Sequence, residues 1–120
     1  MKFNWDGFTE FSFDRYIKNS YLYDDYIGVV HVGDICIELM IHDDDILSFE
    51  FYVAHEDTGY GYKNDVLPYD YANGFDIDMP CDLSYEEFKD KAEKLFMEYI
   101  ESYNGNYSLV EHANRPLEIW

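Results

Sequence analysis

Apolar and polar residues alternate most regularly between Tyr26 and Val53. Ile35, Ile37, Leu39 and Ile41 are interleaved with Cys36, Glu38, Met40 and His42, the period-two pattern of a strand with one buried face. Val30 and Val32 continue the apolar face upstream, and Gly33-Asp34 between them and Ile35 reads as a two-residue hairpin turn. That turn sets Val32 opposite Ile35 and His31 opposite Cys36. Leu47, Phe49, Phe51 and Val53 form a third strand facing the same core, with Asp43-Asp44-Asp45 as the connecting turn. The segment is therefore expected to be a three-stranded antiparallel meander.

Beyond it, Ala54 to Asn73 is rich in Gly, Asp, Asn and Tyr and reads as a long loop. Phe75 to Met79 alternates again and is expected to be a fourth strand, stopped by Pro80. Ser84-Tyr85-Glu86-Glu87 is a capping box, with Ser84 as N-cap and Glu87 reaching back to it. The helix it opens carries Phe88, Ala92, Leu95, Phe96, Tyr99, Ile100 and Tyr103 on one stripe and ends at Asn104-Gly105. Leu117 and Ile119 suggest a last short strand, because Pro116 excludes helix there. Near the N-terminus, Phe11-Ser12-Phe13 is compatible with strand and Asp14 to Asn19 with a helical turn. The expected class is α+β: an antiparallel meander of about four to five strands, with one long helix in the C-terminal half packed on one face. With 120 residues, and no repeat or linker, the chain is read as a single domain, 1–120.

Charge changes this picture more than composition does. Twenty-six acidic residues face eight basic ones, a formal net charge of −18. On the roughly 6,800 Å² of surface expected for this mass, that is one uncompensated charge per ~380 Å². Disorder does not follow, because 48% of residues are hydrophobic and 20% aromatic. Direct nucleic-acid binding is disfavoured, since no basic footprint exists to displace counterions. Adsorption to an anionic membrane is disfavoured by the same sign. No apolar run approaches the ~20 residues of a membrane helix, and Met1 to Asp6 lacks the apolar core of a signal peptide. Two cysteines make no disulfide framework, so a reducing cytoplasm is the expected compartment. The charge is also uneven. Asn19 to Tyr62 holds ten acids and no base, whereas Ser84 to Tyr103 holds six acids and three lysines, supported by (i, i+3) and (i, i+4) pairs such as Glu86–Lys89 and Glu87–Lys91.

So large an excess exceeds what solubility requires and suits a strongly cationic partner, whose encounter it would steer. Acids at i, i+2 along strands lie about 7 Å apart, a spacing comparable with backbone phosphates. In size, acidity and the Asp/Glu-plus-Tyr surface between Tyr21 and Asp82, the chain resembles the small acidic inhibitors carried by phages and mobile elements. These are the DNA-mimicking anti-CRISPR and anti-restriction proteins. The tail Ala113 to Trp120 also resembles the ends of small mobile-element proteins. These inhibitors share no motif, so no residue roles carry over. The resemblance implies a non-enzymatic, stoichiometric blocker of a basic nuclease or other nucleic-acid-handling protein, such as a CRISPR effector, acting in the host cytoplasm. The contact residues expected for such a partner are Asp24, Asp25, Glu38, Asp43, Asp44, Asp45, Glu50, Glu56 and Asp57. An acidic immunity protein that caps a basic toxin is the alternative with the same physics.

Catalytic patterns are scarce. There is no Gly-x-Ser-x-Gly elbow, phosphate loop or dinucleotide fingerprint, and neither cysteine lies in a hydrolase motif. A carboxylate-metal hydrolase is the enzyme alternative, with Asp43-Asp44-Asp45 and Asp76-x-Asp78 as oxygen ligands for Mg²⁺ or Ca²⁺, although neither fits an EF-hand loop. His31 and Cys36, facing each other across the hairpin with Glu38 and Tyr52 nearby, are candidate zinc ligands. His42, His55 and Cys81 are possible further ones, and packing is the competing explanation for all of them. Tyr60, Tyr62, Tyr69 and Tyr71, assigned to the long loop, either anchor an interface or fold back over the open sheet face.

Overall fold

A computed structural model of the chain describes residues 1–19, 25–42, 45–54, 69–106 and 108–115. Four strands form one antiparallel sheet in the order β1 (Asp25–Val32), β2 (Ile35–His42), β3 (Ile46–Ala54) and β4 (Tyr69–Asp78). The expected α+β meander is thus observed. The turn at Gly33-Asp34 pairs Val32 with Ile35 and His31 with Cys36, as the alternation requires. Gly33 has φ +56, and a Cβ there would run into the carbonyl oxygens of His112 and Ala113. Only glycine satisfies both the conformation and the close approach.

Strand β2 alternates perfectly between buried and half-buried residues. Ile35, Ile37, Leu39 and Ile41 join Leu47, Phe49, Phe51 and Val53 of β3 in the core. Helix α2 (Tyr85–Ser102) covers this face. Its capping box is complete: Glu87 N–H donates to Ser84 Oγ at 3.1 Å and Ser84 N–H donates to Glu87 Oε1 at 2.9 Å. Phe88, Ala92, Phe96 and Ile100 are its buried stripe. Phe96 meets Phe49 edge-on at 4.8 Å between centroids, and Tyr99 lies 4.4 Å from Phe51. The N-terminal segment closes the same core, with Trp5 packed between Phe88 and Phe96 and its indole N–H donating to Glu93 at 2.6 Å. A bridge between Asn4 and His31, and a hydrogen bond from Val29 N–H to the Gly7 carbonyl at 3.2 Å, attach this segment to the outer edge of β1.

Three expectations need correction. Phe11-Ser12-Phe13 is not strand but part of a short helix, α1 (Glu10–Phe13), capped by Thr9 and continued by a π-helical turn over Asp14–Lys18. Burying Phe13 and Ile17, four residues apart, in one core takes helical spacing, not alternation. The fourth strand begins at Tyr69, so Tyr69 to Asn73 belongs to β4 and not to the loop. A register shift at Phe51/Tyr52 masks the alternation there. The C-terminal region contains a helix that periodicity did not reveal, α3 (Leu109–Ala113), whose Leu109 and Ala113 are buried. The expected strand at Leu117 and Ile119, and the loop tyrosines Tyr60 and Tyr62, lie outside the described residues.

Candidate functional site

Helix α2 and the N-terminal segment occupy one face of the sheet, and no described helix packs on the other. By register that other face presents Tyr26, Val29 and His31 from β1, and Cys36, Glu38, Met40 and His42 from β2. From β3 it presents Ser48, Glu50 and Tyr52, and from β4 Tyr71, Asp76 and Asp78. None of the four strands contains Lys or Arg. The described lysines and arginines sit in the N-terminal segment, on α2 and at Arg115. Among the described residues, therefore, no lysine or arginine of the sheet itself balances the carboxylates on the face away from the helices.

At the centre of that face Glu38 is paired directly with Glu50 across β2 and β3. Like charges in such a pair repel, and nothing in packing requires them. Burial first, and then Glu50, holds the Glu38 carboxyl above its ordinary pKa. The Tyr52 hydroxyl donates to Glu50 Oε2 at 3.4 Å. Burial and the two glutamates together push that phenol up to about 12. Asp76 is the diagonal neighbour of Glu50 on β4, with Ser48 directly opposite, and the buried Ser48 hydroxyl donates to Asp76 Oδ1 at 2.5 Å. The acids therefore run across the strands from Glu38 through Glu50 to Asp76. They do not recur at i, i+2 within β2 or β3, as the phosphate-spacing expectation required. Along a strand that repeat occurs only at Asp76 and Asp78.

Beside Glu50 lies a depression of about 210 Å³ lined by His42, Ser48, Glu50, Tyr71, Gly74 and Asp76. Gly74 sits opposite Glu50, and a Cβ there would collide with the Phe49 carbonyl oxygen. Its lack of a side chain permits the close approach of β3 and β4 and leaves the floor open. Tyr71 stands at one side, 53% exposed, with its ring 5.2 Å from that of Tyr52. Tyr26 is likewise half exposed on the far strand.

Of the acids expected to meet a partner, Glu38 and Glu50 lie together on the open face, and exposed Asp45 lies in the turn at its end. Asp25 is the first residue of β1, paired with Ile41. Asp24, Asp43, Asp44, Glu56 and Asp57 lie outside the described residues, as does His55. Asp34, by contrast, is paired internally. It is buried at the hairpin tip, 2.8 Å from His112 Nδ1 and 3.8 Å from Arg115 Nη1. Its backbone N–H also donates to the His112 carbonyl at 3.1 Å, which clamps α3 onto the hairpin.

The proposed zinc pair His31 and Cys36 is adjacent, as expected. Burial and then Glu38 push the Cys36 thiol up to about 12. Cys81 lies exposed in the turn between β4 and α2, with its thiol donating to the Ile17 carbonyl at 3.7 Å. Among the described residues, no three His, Cys, Asp or Glu side chains come together to hold an ion. Asp76 and Asp78 occupy alternate positions of one strand, about 7 Å apart along it.

Sequence reasoning did not single out Ser48, Gly74 or the conjunction of Tyr71 with Asp76. Aligning Asp76 with Ser48 was possible from the alternation of β3 and β4, but the assignment of Tyr71 to a loop concealed its place beside Glu50. Comparison with family models, curated proteins and solved structures gives no match. No helix among the described residues is long and apolar enough to cross a membrane.

Proposed function

We propose that the protein is a non-enzymatic inhibitor that binds a basic, nucleic-acid-handling protein through the open face of its sheet, in the manner of a DNA-mimicking anti-CRISPR or anti-restriction protein. The observation that carries this reading is the segregation of charge: a four-stranded sheet without a lysine or arginine, whose face away from the described helices sets Glu38 against Glu50. A fold under no functional demand gains by placing a neutral or basic residue at one of those positions. A groove that evolved to hold phosphates offers the complementary field, and long-range attraction accelerates its encounter with the inhibitor.

The test adds the protein to DNA-binding and cleavage reactions of a panel of CRISPR effector nucleases and restriction enzymes, at low and at moderate salt. The expected result is stoichiometric loss of DNA binding by at least one enzyme, reversed by excess DNA and weakened by salt. A panel in which no enzyme loses DNA binding, even at a large molar excess of the protein at low salt, overturns the reading.

A further inference from the structure

We infer that the depression beside Glu50 receives one guanidinium side chain of the partner, an inference that rests on the reading of the open face as a surface for a cationic protein. Its volume, about 210 Å³, equals roughly seven waters at liquid density, room for a single long side chain. Gly74 keeps the floor clear between Glu50 and Asp76. Each of those carboxylates already accepts one hydroxyl from its own sheet, Asp76 from Ser48 and Glu50 from Tyr52. An ionised carboxylate has about four acceptor sites, so both retain acceptor capacity toward a ligand, and the hydroxyls hold them in place without neutralising them.

The lining also distinguishes between cations. A guanidinium is a planar fork of five donors that bridges two carboxylates and stacks on an aromatic face, whereas an ammonium is a compact, strongly hydrated point charge. Tyr71, half exposed at the rim, supplies that face. A cation held here also offsets the repulsion between Glu50 and Glu38, which an empty site leaves in place. The open face thus combines a diffuse field with one built anchor.

The probes are a blocked tetra-arginine peptide and its tetra-lysine counterpart, titrated into the full chain by calorimetry and followed by backbone amide NMR. The arginine peptide is expected to bind about fivefold or more tightly than the lysine peptide, with shifts centred on residues 48–50 and 71–76. Glu50→Gln and Tyr71→Ala should each lower arginine-peptide affinity about five- to tenfold and erase the preference over lysine, while Tyr71→Phe restores it. Glu98→Gln, an equal loss of charge on the exposed side of α2, should change affinity less than about twofold. Circular dichroism verifies that each variant is folded. Equal binding of the two peptides, with Glu50→Gln and Glu98→Gln equivalent, overturns the anchor and leaves the inhibitor reading standing on the diffuse field. Arginine selectivity that depends on Glu50, with no nuclease in the panel inhibited, upholds the anchor and refutes the nuclease as partner.

Discussion

Replacing Glu38 by Gln should stabilise the protein at neutral pH, although it removes a charged group from the centre of the sheet. Glu38 and Glu50 are direct cross-strand partners, so their Cβ atoms lie about 5 Å apart. Two carboxylates at about 6 Å repel by about 0.7 kcal/mol at the dielectric of water and about 3 kcal/mol at an effective dielectric of 20. Glu38 is half-buried, and its carboxyl keeps substantial contact with solvent. The lower limit therefore applies, and the gain is about 0.5–1 kcal/mol. For a domain of this size that is a rise of about 2–4 °C in Tm. The sign with pH follows from the raised carboxyl. Between its unfolded and folded pKa the native state holds more of the Glu38 proton than the unfolded chain does, so stability falls as pH rises through that window. The advantage of Gln is absent below the ordinary Glu pKa and complete at neutral pH. His31 contributes with the opposite slope, because burial lowers its pKa, and the difference between variant and wild type cancels it. Urea unfolding at neutral and acid pH, at low and high salt, measures the effect, with Glu50→Gln and the double variant completing the cycle. Either single change removes the repulsion, so the double variant should gain little more than one of them. Destabilisation by Glu38→Gln at neutral pH and low salt, or single gains that simply add, would refute the argument.

Gly33→Ala should cost about 1–3 kcal/mol from the backbone conformation alone, and more as α3 is displaced from the hairpin, a loss read as a lower urea midpoint. Ser84→Ala should cost about 1 kcal/mol at neutral pH. Its partner Glu87 is held below the ordinary carboxylate pKa, first by hydrogen bonding to Ser84. That stabilisation is present above the unfolded pKa and disappears as pH falls through the folded one, so thermal melts should show Ser84→Ala below wild type at neutral pH, and wild type and Glu87→Ala converging in acid. Iodoacetamide at slightly alkaline pH should modify exposed Cys81 and spare Cys36, whose thiol burial and Glu38 keep protonated. Peptide mass mapping decides this, and preferential labelling of Cys36 would contradict it.

The meander from β1 to β3 and the helix α2 were legible in the residues because each expresses a local period. Alternation over Ile35–His42 sorts side chains to two faces without knowledge of any neighbour, and a capping box with a 3.6-residue stripe defines a helix on its own. The surplus of acid between Asn19 and Tyr62 was equally plain. Tertiary structure decided the rest. α3 is five residues long and depends on the clamp at buried Asp34, a contact between residues 78 positions apart. β4 extends to Tyr69 because pairing with β3 tolerates a bulge that no local pattern signals. The depression beside Glu50 exists because that pairing sets Gly74 opposite Glu50 and Asp76 opposite Ser48. Which acids remain as a surface field depended on which side α2 covered and on the internal pairing of Asp34. A local period specifies which residues share a face, but only long-range packing determines whether that face is buried, neutralised or left to meet a partner.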